Sequence, residues 1–214
     1  MYEYGPLKIF WLGHAAFRIS DTLTVYIDPY EIGGGPAADL VLITHDHFDH
    51  CSREDVKKIS GPQTTIVAPP SCAKKLEGLG VEVVPIRRGD RLEVRGAVVE
   101  AIPAYNVHPA RKNFHPQGRD YVGYILELSG VKVYHAGDTD LIPEMEDLEV
   151  DIALLPVSGT YVMDAEEAAK AVESIRPKVA IPMHYGSIVG SERDAEIFRE
   201  RVRTCEVVVL RPED

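Results

Sequence analysis

The feature that most constrains this chain is a buried strand that runs directly into a cluster of metal-ligating side chains. Ala38-Asp39-Leu40-Val41-Leu42-Ile43-Thr44 is an apolar run of strand length, and His45-Asp46-His47-Phe48-Asp49-His50 follows at once. Imidazole and carboxylate suit zinc, and also manganese or iron(II). Turning just past a strand, His45 and His47 can point to one side while Asp49 and His50 reach the other. Two adjacent metal sites can then share one loop. Three His and two Asp within six residues are more than a polar surface loop requires.

Apolar runs bounded by turn residues predict further strands at Leu7–Leu12, Ala16–Ser20, Leu23–Ile27, Thr65–Ala68, Val81–Pro85, Leu92–Val94 and Ala97–Ile102. Val122–Leu128, Val131–His135, Ile152–Leu155, Lys178–Ile181 and Glu206–Leu210 complete the set, beside Leu40–Thr44. Helices are predicted over Arg53–Ile59, Cys72–Leu79, Ala165–Ile175 and Glu192–Arg203. The third is the best specified: Asp164 can cap it, Glu167 stands in the capping-box position, and Pro177 stops it. Strands dominate the first 135 residues and alternate with helices afterwards. That order fits one domain, residues 1–214, of two sheets with helices packed outside.

The formal charge of −11 argues against a broad grip on nucleic acid, which needs Lys and Arg to displace counterions. Two local basic groups remain: Arg87, Arg88, Arg91 and Arg95 read as solvated surface, whereas Arg111, Lys112 and Arg119 lie beside a candidate ligand. Cys51, Cys72 and Cys205 are too few and too scattered for a disulfide framework or a paired-cysteine zinc site. No run approaches the roughly 20 apolar residues of a membrane helix. The N-terminal segment lacks the pattern of an export signal, so a cytoplasmic protein with no membrane partner is expected.

With its His-x-His-x-Asp-His segment, the chain resembles the metallo-β-lactamase superfamily. The likeness extends through Trp11-Leu12-Gly13-His14, Ile27-Asp28-Pro29, Tyr105-Asn106, Phe114-His115-Pro116, Tyr134-His135-Ala136-Gly137-Asp138-Thr139, Pro156-Val157-Ser158-Gly159-Thr160-Tyr161 and Pro182-Met183-His184-Tyr185. It is similar to a branch of small metal-dependent hydrolases related to the ascorbate-6-phosphate lactonases. The resemblance implies an α/β fold, a four-layer αββα sandwich with the metals at one edge between the sheets. It also implies two divalent metal ions, Zn2+ first, with Mn2+ or Fe2+ as alternatives. His45, His47 and one later histidine would hold the first metal; Asp49, His50 and His184 would hold the second, and Asp138 would bridge both. For the later histidine the segment Ala104–Pro116 offers His108 and His115, and the Phe-His-Pro element of the nearer branch favours His115. The lactonase-like proteins carry a histidine near Asn106, so the chain departs from their pattern there.

Read from the residues, Asp138 follows a predicted strand and a glycine, where its carboxylate can emerge at a strand end. Asp28 could fix the tautomer of a ligating imidazole through its other nitrogen, with Thr44 and Thr139 as further orienting groups. Asn106 could orient a ligand, His108 could be a loop residue or substrate contact, and His14 is either site-lining or structural. His135 reads as structural. The expected chemistry is hydrolysis of a small-molecule ester, lactone or phosphoester by an activated water, with Asp49 and Asp138 as catalytic carboxylates. Tyr105, Tyr161 or Tyr185 would be the electrophilic donor. Two alternatives are a di-iron redox protein on the same scaffold and a metal-holding sensor without catalysis. Homo-oligomerisation stays open.

Overall fold

The computed structural model describes residues 1–146 and 148–213. Strands with alternating exposure, such as Leu7-Lys8-Ile9-Phe10-Trp11, have one face to bury, and pairing brings those faces together. The first sheet contains β1 (Tyr2–Tyr4), β2 (Leu7–Gly13), β3 (Ala16–Ser20), β4 (Thr24–Ile27), β5 (Ala38–Leu42), β6 (Ser60–Ala68) and β7 (Glu82–Pro85), adjacent in sequence order. The second repeats that arrangement with β8 (Arg91–Val94), β9 (Ala97–Pro103), β10 (Val122–Leu128), β11 (Val131–His135), β12 (Ile152–Pro156), β13 (Val179–Met183) and β14 (Glu206–Val207). In each sheet the first four strands are antiparallel and the last three joins are parallel.

Parallel joins need crossovers, and the helices supply them. α1 (Arg53–Ile59) and α2 (Ala73–Leu76) connect strands of the first sheet; α3 (Ala165–Ile175) and α4 (Glu192–Arg201) connect strands of the second. One core lies between the sheets, with Ile9, Phe17 and Leu40 against Val99, Tyr124 and Leu126. A second forms where Val41, Ile43 and Ile66 meet Val56 and Ile59 of α1 and Leu76 of α2, and Cys51 and Cys72 are buried there as free thiols. β12 and β13 are buried at every residue because α3 and α4 cover their other face. The result is the expected αββα sandwich. None of the helices among the described residues is long and apolar enough to cross a membrane.

Differences from the sequence expectation have local causes. The helix expected over Cys72–Leu79 is a 3-10 turn at Pro70–Cys72 followed by the single turn of α2. Gly78 and Gly80, both at positive φ, lead the chain away. The strand expected at Glu206–Leu210 stops at Val207. After Ala180, the next β13 residue facing β14 is Pro182, which has no N–H to donate. β5 ends at Leu42 rather than Thr44 because the Thr44 carbonyl accepts from Val122 N across the sandwich, at 3.1 Å. β1 lies outside all the expected strands.

Gly123 in β10 is a packing requirement. A Cβ there would lie 2.6 Å from the His135 carbonyl oxygen and 2.7 Å from that of Ala136, both backbone atoms. Gly123→Ala is expected to cost about 2–3 kcal/mol by overpacking. At this chain length that lowers Tm by roughly 4–12 °C in calorimetry. An unchanged Tm would mean that the two strands have room to separate.

Candidate metal centre

The polar groups of interest emerge from one end of the sandwich, past the carboxyl ends of β4, β5, β9, β11 and β13 and from the turn between β2 and β3. Open α/β sheets present ligand-binding residues at the carboxyl ends of their parallel strands. The backbone there is bent to aim side chains. His14, Asp28 and His184 sit in the left-handed region, at φ 47°, 45° and 61°. That costs each non-glycine residue about 1–2 kcal/mol. The His184 turn is fixed by its N–H, which donates to the His14 carbonyl at 2.8 Å.

Hydrogen bonds on the outer side of each ring set which nitrogen faces inward. His50 Nδ1 is 2.7 Å from Asp28 Oδ2, and the same oxygen accepts from Thr44 Oγ1 at 2.6 Å. Thr44 Oγ1 in turn lies 2.9 Å from His45 Nδ1. With that hydroxyl donating to Asp28, His45 Nδ1 is the donor and Nε2 is left bare. His115 Nδ1 meets Asn106 Oδ1 at 2.9 Å, and His184 Nδ1 meets Ser158 Oγ at 3.1 Å. The four Nε2 atoms converge, joined by His47 Nδ1, which lies 3.3 Å from His115 Nε2. Asp138 stands in the middle, with Oδ1 3.3 Å from His50 Nε2. Its Oδ2 is 3.3 Å from His115 Nε2 and 3.1 Å from His184 Nε2.

Burial shapes the electrostatics. It pushes His45 well below its ordinary 6.5 and His115 down to about 4, so both rings are neutral at neutral pH. Burial alone would raise Asp138, but the imidazoles of His184 and His50 outweigh it and keep the carboxyl well below the usual range. Asp49 is held at about 2: burial opposes its charge, and the hydrogen bond from His14 Nε2 at 3.1 Å overcomes that.

This donor set fits divalent cations. His45 Nε2, His50 Nε2, His184 Nε2 and Asp138 Oδ1 are buried with no hydrogen-bond partner among the described residues. Each such atom costs about 1–3 kcal/mol if left unpaired. Potential ligand atoms lie within 4.8 Å of one another in three groups: His45, His47 and His115; His14, Asp49, His50 and His184; and His45, His50 and Asp138. The third spans the other two. Nitrogen and carboxylate oxygen are the donors that zinc, manganese and iron(II) accept.

The chain from residue 8 to residue 184 matches the family model described as the beta-lactamase superfamily domain. The chain belongs to the metallo-β-lactamase superfamily. It is 39% identical to a UPF0173 metal-dependent hydrolase of Methanopyrus kandleri, over 96% of this chain and 97% of that one. A crystal structure described as a metal-dependent hydrolase from Parabacteroides distasonis superposes with a TM-score of 0.85 at 34% identity, covering 97% of this chain and 94% of the other. A metallo hydrolase from Ignicoccus hospitalis gives 0.80 at 26%, covering 97% and 96%.

At this end of the sandwich the structure brings together His45, His47, Asp49, His50, His115, Asp138 and His184, and adds His14 to the Asp49 side. It does not bring in His108, which is exposed and whose Nδ1 accepts from Ala110 N at 3.3 Å. His135 is structural: its ring lies 2.9 Å from the Ala15 carbonyl. Tyr105 spends its hydroxyl on Glu144 at 2.8 Å. Tyr185 packs on Trp11 at 4.8 Å between ring centroids, and Tyr161 meets Phe114 edge-on at 4.7 Å.

Three contributors escape a reading of the sequence alone. Tyr121 packs on His45 at 4.9 Å and brings its hydroxyl to 3.4 Å from His47 Nε2. Ser158 backs His184. Asp140 accepts from Asn106 Nδ2 at 3.0 Å and from the backbone N–H of Val107 and His108, each at 2.8 Å, so it holds the segment that presents His115. Arg111 lies 2.9 Å from Asp140 and donates to Glu167 of α3, so it is a buried partner rather than part of an open basic patch. The second acid of Asp138-Thr139-Asp140 was the available signal for Asp140.

Asp28→Asn keeps the shape behind His50 but removes its charge. Metal affinity is expected to fall about 10- to 100-fold, measured by competition with a chromogenic chelator. An unchanged affinity would deny Asp28 its orienting role.

Proposed function

We propose that this chain, like the relatives it matches, is a metal-dependent hydrolase, and that its centre takes two divalent cations, zinc first, to cleave a small-molecule ester, lactone or phosphoester. His45, His47 and His115 would hold one cation, and Asp49, His50 and His184 the other, with Asp138 shared. The observation that carries this reading is the position of Asp138, whose carboxylate lies within 3.3 Å of imidazoles from both groups. A carboxylate placed there offsets the repulsion between two neighbouring cations.

When bound, such a pair would lower the pKa of water toward about 7 and polarise the scissile carbonyl or phosphoryl group. The protein's own groups do the rest. Asp28, Thr44, Asn106 and Ser158 hold the imidazoles in their inward-facing tautomers. Asp49 stays ionised and keeps Oδ2 on His14, and in this reading its other oxygen would be the proton carrier.

The test is metal analysis of the purified protein, followed by assays on a panel of esters, lactones and phosphodiesters with and without chelator. Two metals per chain and hydrolysis abolished by chelator, then restored by zinc, are expected. Chelator-insensitive hydrolysis would overturn the reading. Redox turnover without hydrolysis would assign the centre to di-iron chemistry, and silence on every substrate to a metal-holding sensor.

A further inference from the structure

Among the described residues, four of the six exposed large hydrophobic side chains flank the candidate metal ligands. Phe48 is 63% exposed, Val107 53%, Phe114 42% and Ile188 39%. Phe48 lies between His47 and Asp49, and Phe114 directly precedes His115. Val107 follows Asn106, the residue that clamps His115. Ile188 lies on the turn after His184, where a Cβ on Gly190 would fall 2.7 Å from Ser158 Cβ, so this turn packs on the residue behind His184. Three separate loops therefore place apolar groups at the same end of the sandwich. The His47 and His115 rings are 5.0 Å apart, which puts Phe48 and Phe114 one residue from side chains in contact.

The two phenylalanines are braced. Phe48 meets Tyr30 edge-on with centroids 5.9 Å apart, and Phe114 meets Tyr161 edge-on at 4.7 Å. Edge-to-face packing holds a ring in place and leaves surface for a ligand. Single exposed hydrophobics are ordinary on a protein surface, but convergence around a buried polar centre marks a binding mouth.

The charges nearby point the same way. Arg111 is committed to Asp140 and Glu167, and Arg119 lies 3.3 Å from Asp46. Of the cations on the His108–Tyr121 segment, Lys112 alone makes no ion pair among the described residues. That segment therefore offers a phosphorylated substrate one unpaired ammonium, whereas the loops that carry the candidate ligands expose four large hydrophobic side chains.

We propose that this mouth selects substrates by an apolar acyl chain or aryl ring, so that the hydrolase acts on neutral hydrophobic esters or lactones rather than phosphoesters. The proposal rests on the hydrolase reading given above and narrows it.

The zinc-reconstituted full chain is assayed on p-nitrophenyl esters from acetate to octanoate. In parallel, the matching straight-chain carboxylates are titrated into it by calorimetry. Each added methylene is expected to raise kcat/KM and lower Kd by about two- to four-fold. In a Phe48→Ser/Phe114→Ser variant both slopes should flatten to below about 1.5-fold per methylene, with metal content unchanged as the check that the ligand loops remain folded.

Ester hydrolysis with no dependence on chain length would overturn the proposal and leave the hydrolase reading standing. Chain-length-dependent carboxylate binding without hydrolysis of any ester would support the apolar mouth and overturn the ester reading. Preference for a phosphodiester over every carboxylic ester would overturn the proposal. So would flat slopes accompanied by cosedimentation with phosphatidylcholine vesicles, which would assign the rim to a lipid surface.

Discussion

Asp138→Ala is expected to strip at least one metal ion from each chain and to lower turnover about a thousand-fold or more. Asp138 is buried between the two histidine groups, and neither group holds another carboxylate that reaches both. Without it, Asp49 on one side would be the only carboxylate facing two adjacent dications, and nitrogen lone pairs offset no charge. Mass spectrometry under native conditions counts the metals, and steady-state rates on the most active ester give the loss. Two metals retained with unchanged rates would remove Asp138 from the site. Asp138→Asn keeps the volume and one acceptor, so a folded Asn variant with weakened metal binding separates lost ligation from lost folding.

Removing the metal is expected to lower Tm by roughly 8–16 °C relative to protein in a fixed metal concentration about a thousand times its Kd at neutral pH, which is worth about 4 kcal/mol. The gap should widen as the pH rises from about 6 to about 8. In the metal-free protein burial opposes a charge on His50. The carboxylates of Asp138 and Asp28 more than offset it and hold the ring well above its ordinary 6.5. That charged ring supports the metal-free fold fully below pH 6.5, and the support fades as the pH climbs through the raised value. The metal needs the same nitrogen deprotonated, so rising pH favours the loaded form. His45 and His115 have lowered values, so below pH 6.5 the unfolded chain takes up protons that both folded forms refuse. That weakening is common to the two forms and cancels in the difference. Calorimetry with and without chelator across this range is the measurement, and a gap that narrows with pH would contradict the placement of His50 in the centre.

Much of the architecture was legible from periodicity. α3 has the bounds expected from its caps and apolar spacing, α1 also has its expected bounds, and β3, β10 and β11 have those expected from their apolar runs. Short-range sterics and side-chain capping set such elements, and both act within a few residues. Errors fell where a distant partner decides the outcome. The end of β5 depends on Val122, and the end of β14 on the missing N–H of Pro182.

The site divides along the same line. The sequence by itself determined the candidate donors: the His45–His50 loop, Asp138 and His184 all stand just past strands, and a strand end exposes a side chain wherever the strand packs. Only the tertiary structure brings His115, and not His108, into the cluster, because their separation in the chain does not encode direction. Asp140 and Arg111, fixed by β11 and α3, fold the intervening loop so that one ring turns inward and the other outward. The same holds for His14, whose place beside Asp49 depends on the pairing of β3 through β4 to β5, strands distant from one another in the chain. Local forces choose which groups are available, and long-range packing chooses which of them meet.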